Sequence, residues 1–343
     1  MGFYPPDSLV HEAQRRGIEV LAADVNASGV ECNVDAAGTV TLGLGYVRGV
    51  RRDELEALVD ARAVGPFRSL ADLTSRAGAG RPALELLAWA GACDSLASAP
   101  GLTGPGAGAD VLFSSPRRLV LWQLGIAAPG RSVPGGVQLA LPLGLPAPPK
   151  LKKVSGWESM LADYETTGLT VSAHPLALLR GRLPVNTVDS RALEVLQHGA
   201  RVRVAGMTVA RQRPGTASGV VFVLLEDEFG TINLIIPPKV YERFRLTVRT
   251  EPLLLVEGKL ERFAKGGGII NVLVDKVAQV SAPDRLLAQV KDFSPLDEMV
   301  RIARADEDKA NAAEDAAARG GSEADDFRAV APAVMSFGNG RRR

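Results

Sequence analysis

RVRVAGMTVA (residues 201–210), GVVFVLLED (219–227), TINLIIP (231–237), PLLLVEGKLE (252–261) and GIINVLVDKV (268–277) are five β-rich runs in quick succession. The one stretch among them with a helical look, PPKVYERFRLT (237–247), falls between the third and the fourth. Five strands with a helix in that place is the strand order of an OB-fold barrel. Such barrels bind oligonucleotides with the face of strands 2 and 3 and with the loops between strands 1–2 and 4–5. Both loops are basic here: the first holds Arg211 and Arg213, the second Lys259, Arg262, Phe263 and Lys265 before a run of three glycines. Residues 199–280 carry 12 Lys+Arg against 8 Asp+Glu, whereas the whole 343-residue chain has 40 against 39, so the basic excess sits in this module. Phe222 and Phe263 are the candidate stacking platforms. Phe222, flanked by valines, reads somewhat more readily as core.

Upstream lies helical material. DSLVHEAQRRG (7–17) has an Asp/Ser start and a Gly stop, RRDELEALVDARAV (51–64) sets Leu55, Leu58, Val59 and Ala63 on one stripe, and shorter helices are expected at 69–77 and 82–90. VECNVDAAGTVTLGL (30–44) reads as a hairpin turning at Asp35 to Gly38. LGLGYVRGV (42–50) followed by a helix has the spacing of a helix–hairpin–helix: Gly45 and Gly49 would bring backbone N–H groups to a phosphate, with Arg48, Arg51 and Arg52 adding charge. It reads equally as a plain strand-to-helix turn. Neither a dinucleotide fingerprint nor a Walker loop occurs.

Residues 100–150 hold nine Pro and nine Gly and are expected to be a linker with a short helix at RRLVLWQLGI (117–126). Within it Gln138, Leu139, Leu141 and Leu143 look like a short clamp-binding peptide, with Pro142 where an aromatic is usual; packing onto the protein itself is the competing reading. A helical connector (151–198) precedes the barrel (199–280), and 281–343 is expected to be a charged, disordered tail. The fold class is therefore α+β and multidomain, with a helical helix–hairpin–helix region over 1–99.

Catalytic constellations are not evident. Glu226, Asp227 and Glu228 read as a polar turn, His174 as a turn or cap residue, and Cys32 and Cys93 as small buried residues. Three His and two Cys are too few for a zinc module, so no metal site is expected in this chain. Without a signal pattern or a long apolar run, a cytoplasmic, membrane-free protein is expected.

Beyond these readings the chain resembles the C-terminal part of the bacterial C-family DNA polymerases, related to the polymerase III alpha subunit, and specifically their error-prone branch. The residues that carry the resemblance are Met1 to Val10 with Val25 to Ser28, Leu42 to Val50, Gly65 to Phe67, Leu87 to Asp94, Tyr164 to Leu169 with His174-Pro175, Arg211 to Ala217, Leu225 to Gly230, and Ser336 to Gly338. Arg51 stands where the family pattern has a further glycine. The resemblance implies translesion or mutagenic repair synthesis, with single-stranded and primer–template DNA, the sliding clamp and mutasome proteins as partners. The family's palm carboxylates, which hold Mg2+, would lie upstream of residue 1, so the chain by itself is expected to be inactive as a polymerase. The alternative function is a protein-interaction module that recruits replication or mutasome partners.

Overall fold

In the computed structural model, residues 5–98, 116–127, 151, 153–263, 269–280, 323–332 and 334–337 are described. The N-terminal module starts with α1 (Pro6–Arg15), followed by a small sheet in which β3 (Val40–Thr41) pairs antiparallel with β2 (Asn33–Val34) and parallel with β1 (Val20–Leu21). The expected hairpin is present; β1, two residues long, leaves no periodic signal to read. Helices α2 (Arg52–Ala63), α3 (Leu70–Arg76) and α4 (Arg81–Trp89) follow. Each buries a short apolar stripe, Leu55 and Leu58 on α2, Leu70 and Leu73 on α3, and Leu84 and Leu87 on α4.

Helix α5 (Pro116–Ala127) lies in the stretch expected to be linker, yet it belongs to this module. Val120 and Leu124 are fully buried in the same core, and Leu119 is 5% exposed. The buried set is Leu119, Val120, Gln123 and Leu124, whereas Trp122 is half-buried and Ile126 is 47% exposed. The flanking Pro/Gly-rich residues, with Gln138, Leu139, Leu141 and Leu143, lie outside the described residues.

The connector contains α6 (Gly156–Thr166), α7 (Pro175–Leu179) and α8 (Ser190–Val195). A capping box starts α6, where Ser155 accepts from the Glu158 N–H at 3.1 Å while the Glu158 carboxylate accepts from the Ser155 N–H at 2.8 Å. Strand β4 (Thr187–Val188) precedes α8, and after α8 come the barrel strands β5 (Arg201–Gln212), β6 (Val221–Glu226), β7 (Thr231–Ile236), β8 (Leu253–Phe263) and β9 (Ile269–Gln279). Their order β5-β6-β7-β9-β8 closes through a β5–β8 pairing, and only β7–β9 within the ring is parallel. Helix α9 (Pro238–Thr250) joins β7 to β8, so the barrel and its helix stand as the sequence orders them. Inward positions Val204, Val223, Leu225, Leu234, Val256 and Val272 fill the interior.

The tail departs from expectation. Helix α10 (Glu323–Val330) buries Phe327 completely, 5.8 Å from the Trp157 ring and edge-on to Tyr164 at 5.6 Å. Arg328 donates to both carboxylate oxygens of Glu251 at 2.6 and 2.7 Å, and β10 (Met335–Phe337) adds a parallel strand along Ala210 to Gln212 of β5. A single aromatic anchor in an alanine-rich, charged segment gives no amphipathic stripe, which is why composition suggests disorder there.

Candidate nucleic-acid interface

The hairpin closes tightly because Gly43 lies on the Val30 carbonyl, where a Cβ would collide. This packing engages most of its amides: Leu44 N–H donates to Gly29 O, Gly45 N–H to Val30 O (both 2.9 Å) and Arg48 N–H to Thr166 O at 2.8 Å. Gly45, expected to offer its N–H to a phosphate, thus has that group occupied. Gly49 adopts φ +83°, the left-handed turn that delivers the chain to the start of α2. Among the described residues, the amides of Gly49, Val50 and Arg51 have no backbone acceptor, and they precede a helix N-terminus that has no side-chain cap. Arg51 pairs with Asp53, and Arg52 with Glu31 and Glu56 at 2.9 Å. These pairs are exposed and weak, so a phosphate can replace the carboxylates. The Arg48 guanidinium rests against Gly168 and has no ion pair among the described residues.

On the barrel, register decides which side chains look outward. Arg211 pairs with Val223 and shares its inward face; its guanidinium is half-buried, donates to Glu251 O at 2.6 Å, and burial lowers its pKa to about 10. Gln212 pairs with Phe222, Phe222 with Ile235, Ile235 with Leu273 and Leu273 with Lys259, forming one outward row across β5, β6, β7, β9 and β8. A second row runs Leu224, Asn233, Asn271. Phe222 is 37% exposed, so the core reading of this residue is corrected: Val221 and Val223 face inward and Phe222 faces out by simple alternation. Gln212, Ile235, Asn233, Asn271 and Leu273 were missed, although the alternation in TINLIIP and GIINVLVDKV marks them once pairing is known.

Gln212, after which the first expected basic loop begins, and Lys259, expected in the second, stand at the two ends of this row. Arg213, on the first, lies over the Tyr241 ring at 5.0 Å, and Lys259 is exposed beside Gly199. Arg262 is engaged elsewhere: its guanidinium donates to Leu193 O at 2.8 Å, Leu196 O at 2.9 Å and Glu194 O, holding the C-terminal end of α8. The Phe263 side chain and Lys265 lie outside the described residues.

The acidic triplet after β6 is not a solvated turn. Glu226 and Asp227 are fully buried, and each of the three carboxylates joins the barrel to a preceding helix. Glu226 accepts from Ser8 Oγ at 3.0 Å and Arg15 Nη1 at 2.8 Å, and its Oε1 is 3.3 Å from His11 Nδ1. Asp227 accepts from Ser190 N–H and Oγ, both at 2.7 Å, and Glu228 takes Arg180 in a bidentate pair at 2.7 and 2.6 Å. Asp7 stands on the far side of His11, 3.7 Å from Nε2, and accepts from Tyr164 Oη at 3.0 Å. Burial pushes Glu226 up, but His11 and Arg15 outweigh it and hold the carboxyl below its usual range. Burial likewise works against His11 ionisation, yet Glu226 and Asp7 raise its pKa above the ordinary value.

His11, His174 and Glu226 bring potential ligand atoms within 4.8 Å of one another. Two histidines thus approach the triplet that the sequence reads as a polar turn. Their chemistry does not suit a cation. His174 caps α7 by accepting the Leu176 N–H on Nδ1 at 3.1 Å, so the neutral ring carries its proton on Nε2, the nitrogen left for a metal. Arg15 already neutralises Glu226. The set is an ion-pair latch between modules. Of the cysteines, Cys93 is buried, as expected, whereas Cys32 is exposed.

Comparison with known proteins agrees with this architecture. Residues 17–100 match the model of the helix-hairpin-helix motif, and 202–280 that of the OB-fold nucleic acid binding domain. The chain is similar to proteins named error-prone DNA polymerase: 39% identical over 310 residues to one from Anaeromyxobacter dehalogenans (strain 2CP-C), covering 85% of this chain and 25% of that one. The corresponding figures are 36% over 295 residues, 85% and 25% for Corynebacterium efficiens, and 39% over 266 residues, 76% and 24% for Pseudomonas aeruginosa. The chain thus spans about a quarter of the length of these relatives. No described helix is long and apolar enough to cross a membrane.

Proposed function

The chain belongs, as the counterpart of a C-terminal part, to the family of error-prone DNA polymerases, and from this we propose that it positions DNA for their synthesis across damaged template. The helix–hairpin–helix module holds duplex phosphates through the amides at Gly49 to Arg51 and the cations Arg48, Arg51 and Arg52. The barrel face holds the single-stranded template. The observation that carries this reading is the outward row Gln212, Phe222, Ile235, Leu273 and Lys259, a partly apolar strip with one exposed aromatic and a cation at its end. A strip of this composition accepts any base by stacking and leaves sequence unread.

Positioning is the chemistry available to these residues. Nucleotidyl transfer and its Mg2+ would reside in the polymerase portion of the relatives that this chain does not span, and the described residues supply orientation of the DNA. Clamp or mutasome partners would engage separately, through the 138–143 peptide.

Fluorescence anisotropy of a labelled single strand and of a matching duplex, titrated with the full chain across a salt series, tests the reading. Submicromolar, salt-dependent binding of single strands, lost on Phe222→Ala with duplex binding retained, is expected. Equal single-strand binding by wild type and Phe222→Ala would overturn the role of the face.

A further inference from the structure

Most of the described arginines are tied to acids or carbonyls, among them Arg15, Arg52, Arg76, Arg117, Arg180 and Arg203. Helix α9 gathers several cations that are not. Lys239, Arg243, Arg245 and Arg249 are exposed, and none has an ion pair among the described residues; Arg243 only covers the Phe244 ring at 5.2 Å. Tyr241 and Val248 are buried on the opposite side, so the helix docks by its apolar side and turns its cations to solvent. Four cations against one exposed acid, Glu242, on this helix, which kinks at Phe244, leave a net repulsion that an anionic polymer would relieve.

This basic face is continuous with the barrel face. Strand β7 ends at Ile236, directly after the Phe222–Ile235 pair, and the helix starts at Pro238. The first barrel loop lies against it, with Pro238 Cγ 3.5 Å from a Cβ built on Gly219, and Arg213 stacks on Tyr241 of the helix itself. We propose that α9 and Arg213 form a second nucleic-acid site, which carries the phosphate backbone of the single strand where it leaves the barrel face beside Phe222. The proposal rests on the reading of that face as the single-strand site. Continuity and charge favour nucleic acid as the occupant; Leu246, 76% exposed amid the cations, would serve an acidic amphipathic peptide instead.

The test uses the full chain, a short oligonucleotide of about 6 nucleotides that only the face can hold, and one of about 20 that must run past it. Lys239→Glu/Arg243→Glu/Arg249→Glu is expected to weaken the long strand about tenfold or more and to flatten its log–log salt dependence by about 2, leaving the short strand unchanged. The charge-keeping variant Lys239→Arg/Arg243→Lys/Arg249→Lys should bind both as wild type does, and thermal melting checks that each variant is folded. Phe222→Ala should weaken both oligonucleotides. Unchanged long-strand binding by the charge-reversal variant overturns the proposal and leaves the helix to an acidic protein partner; equal weakening of short and long strands overturns it as well. If Phe222→Ala affects neither oligonucleotide, the reading of the face fails, and the site as a continuation of it fails too, even where the charge reversal weakens the long strand.

Discussion

The N-terminal module and the barrel prepare for the same polymer by opposite means. In the hairpin the proposed contact falls to the backbone: around left-handed Gly49 the amides of residues 49–51 have no backbone acceptor among the described residues, and Arg51 and Arg52 are parked on exposed carboxylates. In the barrel the backbone is consumed by ladders, and side chains form the surface, a partly apolar row followed in the chain by α9, whose cations have no ion pair among the described residues. Backbone amides suit the fixed phosphate spacing of a duplex, and a stacking strip suits a flexible strand with unpaired bases. The two surfaces are joined by a buried latch, Asp7–His11–Glu226 with Arg15, so the helices and the barrel hold a defined relation to one another.

Breaking the latch should have the largest effect. Glu226→Gln leaves Arg15 and His11 facing a neutral group in a buried site, with an expected loss of about 3–5 kcal/mol of stability read by urea unfolding. Phe222→Ala should cost about 1–3 kcal/mol in single-strand affinity, measured by anisotropy, with little change in melting temperature because the ring is not in the core. Gly49→Ala places a Cβ at φ +83°, 3.0 Å from Leu86 Cδ1; about 1 kcal/mol of stability and a larger share of duplex than single-strand affinity should be lost. Arg52→Ala, with only exposed partners, should leave stability alone and lower the duplex salt slope by about 0.9.

The latch also predicts a pH dependence. His11 has a raised pKa in the folded protein, so its contribution to stability is complete below its unfolded value of about 6.5 and fades as pH rises through the folded value. The stability difference between wild type and His11→Asn should therefore shrink from pH 6 to pH 9 in urea titrations. A difference that grows with pH would mean that His11 is neutral in the latch.

Much of the fold is legible in local pattern. The barrel strands, α9 and the hairpin followed by α2 each carry period, cap or turn signals strong enough to stand without tertiary context. The latch does not, because Asp7, His11 and Glu226 are brought together only by packing of α1 against the end of β6, more than 200 residues away in the chain. Arg211 and Arg262 are basic loop-like residues by sequence, yet register turns the first inward and a helix end captures the second. Phe222 shows the reverse: valines on either side suggest core, and the strand period puts it outside. Charge counting finds the basic excess of the barrel, most of which α9 supplies, but only the structure shows that these cations lack ion pairs among the described residues.

Hydrogen–deuterium exchange of the full chain with and without a single-stranded oligonucleotide tests the central claim most directly. Protection at residues 221–224, 231–236 and 269–273, with 42–54 unchanged, is the predicted footprint. Protection confined to 42–54, or spread evenly over both modules, would contradict the assignment of the single strand to the barrel face.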